Sequence, residues 1–435
     1  MARFRGRVQG REFLRLRGRF RGRRGLVAFL AVMGPGLIAG VSDNDAGGIT
    51  TYSVMGAHTG LQLLWLLPLT IVILIVVQDM SARLGVASGQ GLSGLIRDRF
   101  GVRWTVFAMV VLIVANVANT IAEFSGVAAS LEIFGVPPIL SVPLVAVAIW
   151  LLVLFASYRT IERVFLSVTV VFFAYIAAAF QAGPDWGEVG RELITPHVEL
   201  TAASLLLMVG IVGTTVTPYM QYYLQSAIVE KGIGEDEMGP ARADAILGAI
   251  WTNVIALFIV LATAATLFRT GVRIESASDA AQALGPIAGE FSTALFAAGL
   301  FGASVLAATI MPISTAFVVC EAFGWESGVG HRLREAPTFF GLYTFVLAAG
   351  AIAVLIPGLP LIGVILASQY LQGLLIPFVL IFMLLLVNNR RIMGRHVNGR
   401  WLNVAAIGAI GLIVVLDLVL LAVSGLSAAG IHLAT

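Results

Sequence analysis

The chain has 435 residues, of which 59% are hydrophobic and only 12% charged, and its mean hydropathy is +0.95. Soluble domains carry about 25% charged residues, so this composition excludes a soluble globular protein and marks a polytopic membrane protein. The formal net charge is only +3, and the single cysteine, Cys320, excludes an internal disulfide and a cysteine-based metal cluster.

Residues 1–25 form an Arg-rich head, with ten arginines from Arg3 to Arg24 opposed only by Glu12. Ahead of an apolar run, this pattern predicts a cytoplasmic segment that anchors the first span and touches anionic lipid headgroups. Its aromatics do not interleave as a nucleic-acid reading surface would require, so no nucleic-acid partner is expected. The apolar run that follows is too long and too interrupted for a signal peptide.

Apolar runs of about 20 residues signal spans, and eleven are predicted, at about 26–57, 61–84, 104–132, 138–157, 161–182, 201–230, 244–268, 287–320, 336–356, 361–387 and 402–425. The first is broken by Ser42-Asp43-Asn44-Asp45-Ala46-Gly47-Gly48. A charge at the bilayer centre costs about 2.5–3.5 kcal/mol. Two carboxylates beside paired glycines therefore predict a cation site on an unwound helix. Gly47 and Gly48 read as residues that loosen the backbone.

The loops set the sidedness. Arg83, Arg97, Arg99 and Arg103 follow the second span, Arg159 and Arg163 the fourth, and Arg390, Arg391, Arg395 and Arg400 the tenth. The loop after the fifth carries Asp185, Glu188, Glu192 and Glu199 against Arg191 alone. The positive-inside rule then places the N-terminus in the cytoplasm and the C-terminus outside. The loop between the sixth and seventh spans is equivocal.

In the sixth span, Gly210 through Tyr219 contain two glycines, three threonines and Pro218. Proline removes a backbone donor and clashes with the preceding turn, so this helix is either kinked or opened towards a cavity. Interruptions five helices apart, in spans that run in opposite directions, match two inverted five-helix repeats with a binding site where the broken helices meet. Asn116 and Asn119 are expected to bond neighbouring helices, Cys320 to pack inside a helix, and His58, His197 and His331 to sit at helix ends or in loops. The only lysine, Lys231, lacks a Walker-type glycine loop, so ATP-driven transport by this chain is not expected. No Gly-x-Ser-x-Gly elbow or His-Glu-x-x-His helix suggests an enzyme.

Residues 34–48, Ile121–Gly126, Thr215–Tyr219 and Ser368–Phe378, taken in order, resemble the first, third, sixth and tenth helices of the NRAMP divalent-metal transporters. Asp45-Ala46-Gly47-Gly48 stands where that family carries Asp-Pro-Gly-Asn, and Thr217-Pro218-Tyr219 where it carries Met-Pro-His. The resemblance implies an all-α, LeuT-like fold of two inverted five-helix repeats, with helices 1 and 6 broken and about eleven membrane helices. The Arg-rich segment would be 1–25 and the transporter core 26–390. The repeats fall at about 26–182 and 201–387, with an eleventh helix and tail at 391–435. A bacterial-type inner membrane is implied, with no cofactor, no catalytic residues and no obligatory protein partner.

The same resemblance assigns the metal ligands. The family's aspartate falls on Asp45, its methionine on Thr217, the alanine whose carbonyl contributes on Thr214, and its tenth-helix glutamine on Gln369. Its asparagine falls on Gly48. Asp43 has no counterpart and is either a ligand or a nearby supporting group. Thr214 and Thr217 could instead bond back to their own helix, and Gln369 could simply join two helices. Loss of the thioether leaves a harder, roomier site, since carboxylate, carbonyl, hydroxyl and water suit Mg²⁺ and Mn²⁺. The departures look like those of the NRAMP-related magnesium transporters. The family's sixth-helix histidine is replaced by Tyr219. Glu123 remains on the third helix, as a buried acid or a gating group, and the ninth span has no arginine. Facilitated transport uncoupled from protons is therefore expected. The alternatives are a proton-coupled Mn²⁺/Fe²⁺ transporter and a membrane metal sensor.

Overall fold

A computed structural model describes residues 34–155, 172–285, 289–328 and 333–428. The Arg-rich head, the start of the fifth span and His331 lie outside these. Every regular element among the described residues is helical. The first span is two helices, α1 (Pro35–Ser42) and α2 (Ala46–Thr59). The second is α3 (Leu66–Ser88), and the third is α5 (Val102–Glu132), preceded by the short α4 (Leu92–Phe100). The fourth and fifth are α6 (Pro138–Phe155) and α7 (Phe172–Ala182). The sixth divides into α8 (Ala202–Thr215) and α9 (Pro218–Glu230). The remaining spans are α10 (Met238–Thr263), α11 (Ser292–Phe323), α12 (Pro337–Val354), α13 (Leu361–Val387) and α14 (Arg400–Ala428). Eight of the described helices, counting each of α8–α9 and α10 with its flanking turns as one, are long and apolar enough to cross a membrane.

Two details correct the sequence reading. The sixth-span break is confined to Val216 and Thr217, because α8 runs helically through both Gly210 and Gly213. Those glycines do not open the helix; they let it approach α13. A Cβ on Gly213 would lie 2.2 Å from the Gln369 carbonyl oxygen, and one on Gly210 would lie 2.7 Å from the Tyr370 ring. Likewise Gly47 and Gly48 lie inside the first turn of α2, and the unwound residues are Asp43 to Asp45.

The helices form two packed groups. The two halves of the first span lie against α10, which also packs on α3, and α3 packs on α9. In the second group α5 packs against α11 and α12, and α12 against α6. Helix α13 touches both, through α2 and α5, and packs along α8. The outer faces of α6 and α14 expose rows of large apolar side chains, among them Leu140, Leu144, Ile407 and Leu418. Such a surface suits hydrocarbon, where backbone groups must be satisfied inside each helix.

One end of the bundle is tied by charge. Asp79 on α3 accepts from Arg83 at 2.9 Å and from Arg242 on α10 at 2.5 Å. Arg83 also donates to the His396 carbonyl oxygen at 2.9 Å and to the Asn398 side chain. The second and seventh spans and the loop before the eleventh therefore meet at one end.

Candidate functional site

The two breaks lie side by side, and α13 packs against both α2 and α8. In the first, Asp45 caps α2: its Oδ1 accepts from the Gly48 N–H at 2.8 Å, the role in which a short carboxylate satisfies an orphan donor. Its Oδ2 accepts from Asn119 Nδ2 of α5 at 3.2 Å. Asn119 Oδ1 in turn accepts from Gln369 Nε2 at 2.9 Å and Gln372 Nε2 at 2.8 Å, both on α13. Gln372 also donates to Gln369 Oε1 at 3.2 Å. Glu123, one helical turn beyond Asn119, accepts from the Ala46 N–H at 3.3 Å and lies within hydrogen-bonding reach of the Asp45 carboxyl.

Glycine is required where these groups crowd together. A Cβ on Gly47 would sit 2.1 Å from Gln369 Nε2, and one on Gly48 would sit 2.7 Å from the Asp43 carbonyl oxygen.

In the second break, Pro218 starts α9 at a position that needs no N–H donor, with Thr217 as the capping residue. The Thr217 hydroxyl makes no capping bond. Thr214 and Thr217 do not bond back to their helix: each hydroxyl is buried without a partner. Thr215 does bond back, to the Ile211 carbonyl oxygen at 2.6 Å, and it joins α8 to α2 through Tyr52 at 2.8 Å. Tyr219 donates to the Ser42 carbonyl oxygen at 3.2 Å, linking the inner ends of the two broken helices.

Asp45, Gly47, Gly48, Glu123 and Gln369 are thus brought together directly. The break bearing Thr214, Thr217, Pro218 and Tyr219 is joined to them through Tyr219–Ser42 and Tyr52–Thr215. Asp43 turns the other way, and its Oδ2 accepts from Thr252 of α10 at 3.3 Å. Buried polar groups are nearly always hydrogen-bonded. Besides the two threonine hydroxyls, Glu123 Oε1 and Gln372 Oε1 also lack partners. These are acceptor oxygens suited to a hard cation.

Among the described residues, no three or more His, Cys, Asp or Glu side chains form a metal-holding group. A metal here would therefore be held by one or two carboxylates with hydroxyl, amide and carbonyl oxygens and water.

Asn119, expected only to bond neighbouring helices, does so and also holds the aspartate. Met311 of α11, which escaped the sequence reading, brings its Sδ to 2.7 Å from the same Asn119 amide nitrogen. Asn116, Asn119 and Glu123 share a face of α5 at helical spacing, and Gln369 and Gln372 share one of α13. That polar stripe was the available signal. Nothing local marked Met311. Asn116 bonds Thr315 at 2.7 Å, as expected of an interhelical partner.

Comparison with known proteins agrees with this arrangement. The Natural resistance-associated macrophage protein-like (Nramp) family model matches residues 36–423. The divalent metal cation transporter MntH of Xylella fastidiosa (strain 9a5c) is 31% identical over 411 residues, covering 90% of this chain and 85% of that one. MntH of Bacillus subtilis (strain 168) is 27% identical over 417 residues, covering 93% and 94%. The crystal structure of an Eremococcus coleocola manganese transporter superposes with a TM-score of 0.70 at 22% identity, covering 91% of this chain and 87% of that one. MhsT in complex with L-phenylalanine superposes at 0.56 and 14% identity, covering 92% and 98%. These superpositions establish the LeuT-like fold with its broken first and sixth helices.

Proposed function

This chain belongs to the Nramp family and is an integral membrane transporter of divalent metal ions rather than an enzyme; from that premise we propose that its preferred cargo is Mg²⁺, with Mn²⁺ accepted, and that transport is uncoupled from protons. The observation that supports this reading is the donor set. Asp45 supplies charge with Glu123 beside it, and the hydroxyls of Thr214 and Thr217 and Oε1 of Gln372 have no hydrogen-bond partner in the protein. Oxygen ligands suit Mg²⁺, which keeps several of its waters. Gln369 and Asn119 orient the carboxylate. The two helix groups rock against each other about this site, and the basic loops put the N-terminus in the cytoplasm and the C-terminus outside. An inside-negative potential drives each positive charge inward by about 2.3 kcal/mol per 100 mV, doubled for a divalent ion. Tyr219 is committed to Ser42 and α12 carries no arginine, so of the family's proton-route groups the histidine and the arginine are missing and only Glu123 remains.

Proteoliposomes holding a Mg²⁺-sensitive dye should show saturable uptake under a potassium-diffusion potential, without acidification of the lumen. Absence of flux defeats the Mg²⁺ assignment. Metal-dependent acidification defeats only the uncoupling.

A second reading, Mn²⁺ as the principal cargo, is favoured by Met311, whose thioether touches the amide that holds Asp45. Competition separates the two: Mn²⁺ uptake at micromolar metal that is untouched by millimolar Mg²⁺ selects the second. On the first reading, Thr217→Met adds a soft ligand and should shift preference from Mg²⁺ towards Mn²⁺ by about tenfold, or ~1.4 kcal/mol. Unchanged competition constants in that variant would place Thr217 outside the site.

A further inference from the structure

Asp43 is the carboxylate that the transport site leaves unused. Helix α1 climbs α10 in parallel register. A Cβ on Gly36 would meet the Ala245 backbone at 2.5 Å, and one on Gly40 would meet the Gly248 carbonyl oxygen at 2.3 Å. Four residues further along the chain on both sides, the break just beyond α1 reaches Thr252. There the Thr252 hydroxyl donates to Asp43 Oδ2 at 3.3 Å and accepts from Asn44 Nδ2 at 3.0 Å. Asp43 and Asn44 are each 2% exposed. The other carboxylate oxygen of Asp43, Oδ1, and the single amide oxygen of Asn44, Oδ1, are buried with no hydrogen-bond partner. Two bare oxygens on neighbouring residues, joined through one hydroxyl, are costly unless a donor or cation meets them.

Three features say what meets them. Helix α1 ends at Ser42, so its C-terminal carbonyls give this spot the negative end of a helix dipole, which favours a cation. A proton on Asp43 would leave the Asn44 oxygen bare. One carboxylate balances one positive charge, whereas a dry divalent ion would leave an excess charge buried.

We propose that Asp43, Asn44 and Thr252 form a second cation subsite, distinct from the Asp45 site and suited to a small monovalent cation, Na⁺. Its occupation neutralises Asp43 and clamps the first-helix break to α10, within the first of the two packed groups. The subsite depends on the geometry of the break and not on which divalent ion is carried.

The test uses full-length protein in detergent without divalent metal, titrated with NaCl against choline chloride at constant ionic strength. The melting temperature should rise by about 2 °C or more and saturate, as expected for a ligand that binds only the folded state. Asp43→Asn and Thr252→Val should each flatten the response. Asp45→Asn should keep it while losing metal uptake. An equal response in all four proteins, or its loss in Asp45→Asn, overturns the subsite. A flat response in the unsubstituted protein overturns it too, and leaves the transport reading standing if metal uptake is intact. A saturable response confined as described, in a protein that moves no metal, supports the subsite and sinks the transport reading instead.

Discussion

Asp45→Ala is expected to reduce saturable divalent-metal uptake in proteoliposomes by more than about 100-fold, since removing a group that merely orients a ligand already costs roughly 10–100-fold in affinity. Asp45 does two things at once. Its Oδ1 caps α2 through Gly48, and its Oδ2 is held by Asn119. Loss of the cap alone costs about 1 kcal/mol, which a fold of this size tolerates. Asp45→Asn separates the two roles, because an amide oxygen still accepts from Gly48 but carries no charge. That variant should melt within a few degrees of the unsubstituted protein and still fail to transport. Uptake at the original rate in Asp45→Asn would show that the ion is carried by other groups. A collapse in melting temperature with residual transport would make Asp45 a structural cap.

The fold was legible because its rules are one-dimensional. Span length follows from bilayer thickness, and the expense of Asp43 and Asp45 inside an apolar run exposes the first break. Pro218 exposes the second, since it starts α9 and cannot continue α8. What the sequence obscured is what glycine is for. Gly47 read as a loosening residue, and Gly210 and Gly213 as part of a helix that kinks or opens, yet all three are helical, and each makes room for α13. Close approach between helices distant in sequence leaves no local trace that separates it from flexibility.

The site divides in the same way. Asp45 and Gln369 followed from the family motif, and the structure brings them to the same asparagine. The opposite orientations of Asp43 and Asp45 could not be read from a spacing of two residues, because the intervening backbone is not helical and has no fixed period. Met311 was invisible because a methionine in an apolar helix is ordinarily a packing residue.

That reinterpretation of the glycines carries its own test. Gly213→Ala is expected to be among the most damaging single changes in the chain. The added Cβ would lie 2.2 Å from the Gln369 carbonyl oxygen and 2.4 Å from the Gly373 backbone nitrogen. These are backbone atoms and cannot swing aside as a side chain would. The crossing is reciprocal, since a Cβ on Gly373 would lie 2.5 Å from the Val209 carbonyl oxygen. Paired small residues of this kind let membrane helices approach closely. Forcing α8 away from α13 should cost about 3 kcal/mol, the upper part of the usual range for overpacking. It should also push on Gln369, whose side chain holds Asn119 against Asp45, so uptake falls together with melting temperature. Gly341→Ala in α12 is the matched control, since nothing lies within 4 Å of its added Cβ. Alanine there lowers the backbone entropy lost on folding and should leave stability unchanged or slightly higher. If Gly213 serves only to loosen the sixth helix, alanine at that position should instead stiffen the segment, raise the melting temperature and slow transport. The sign of the melting shift therefore decides between a hinge and a close crossing.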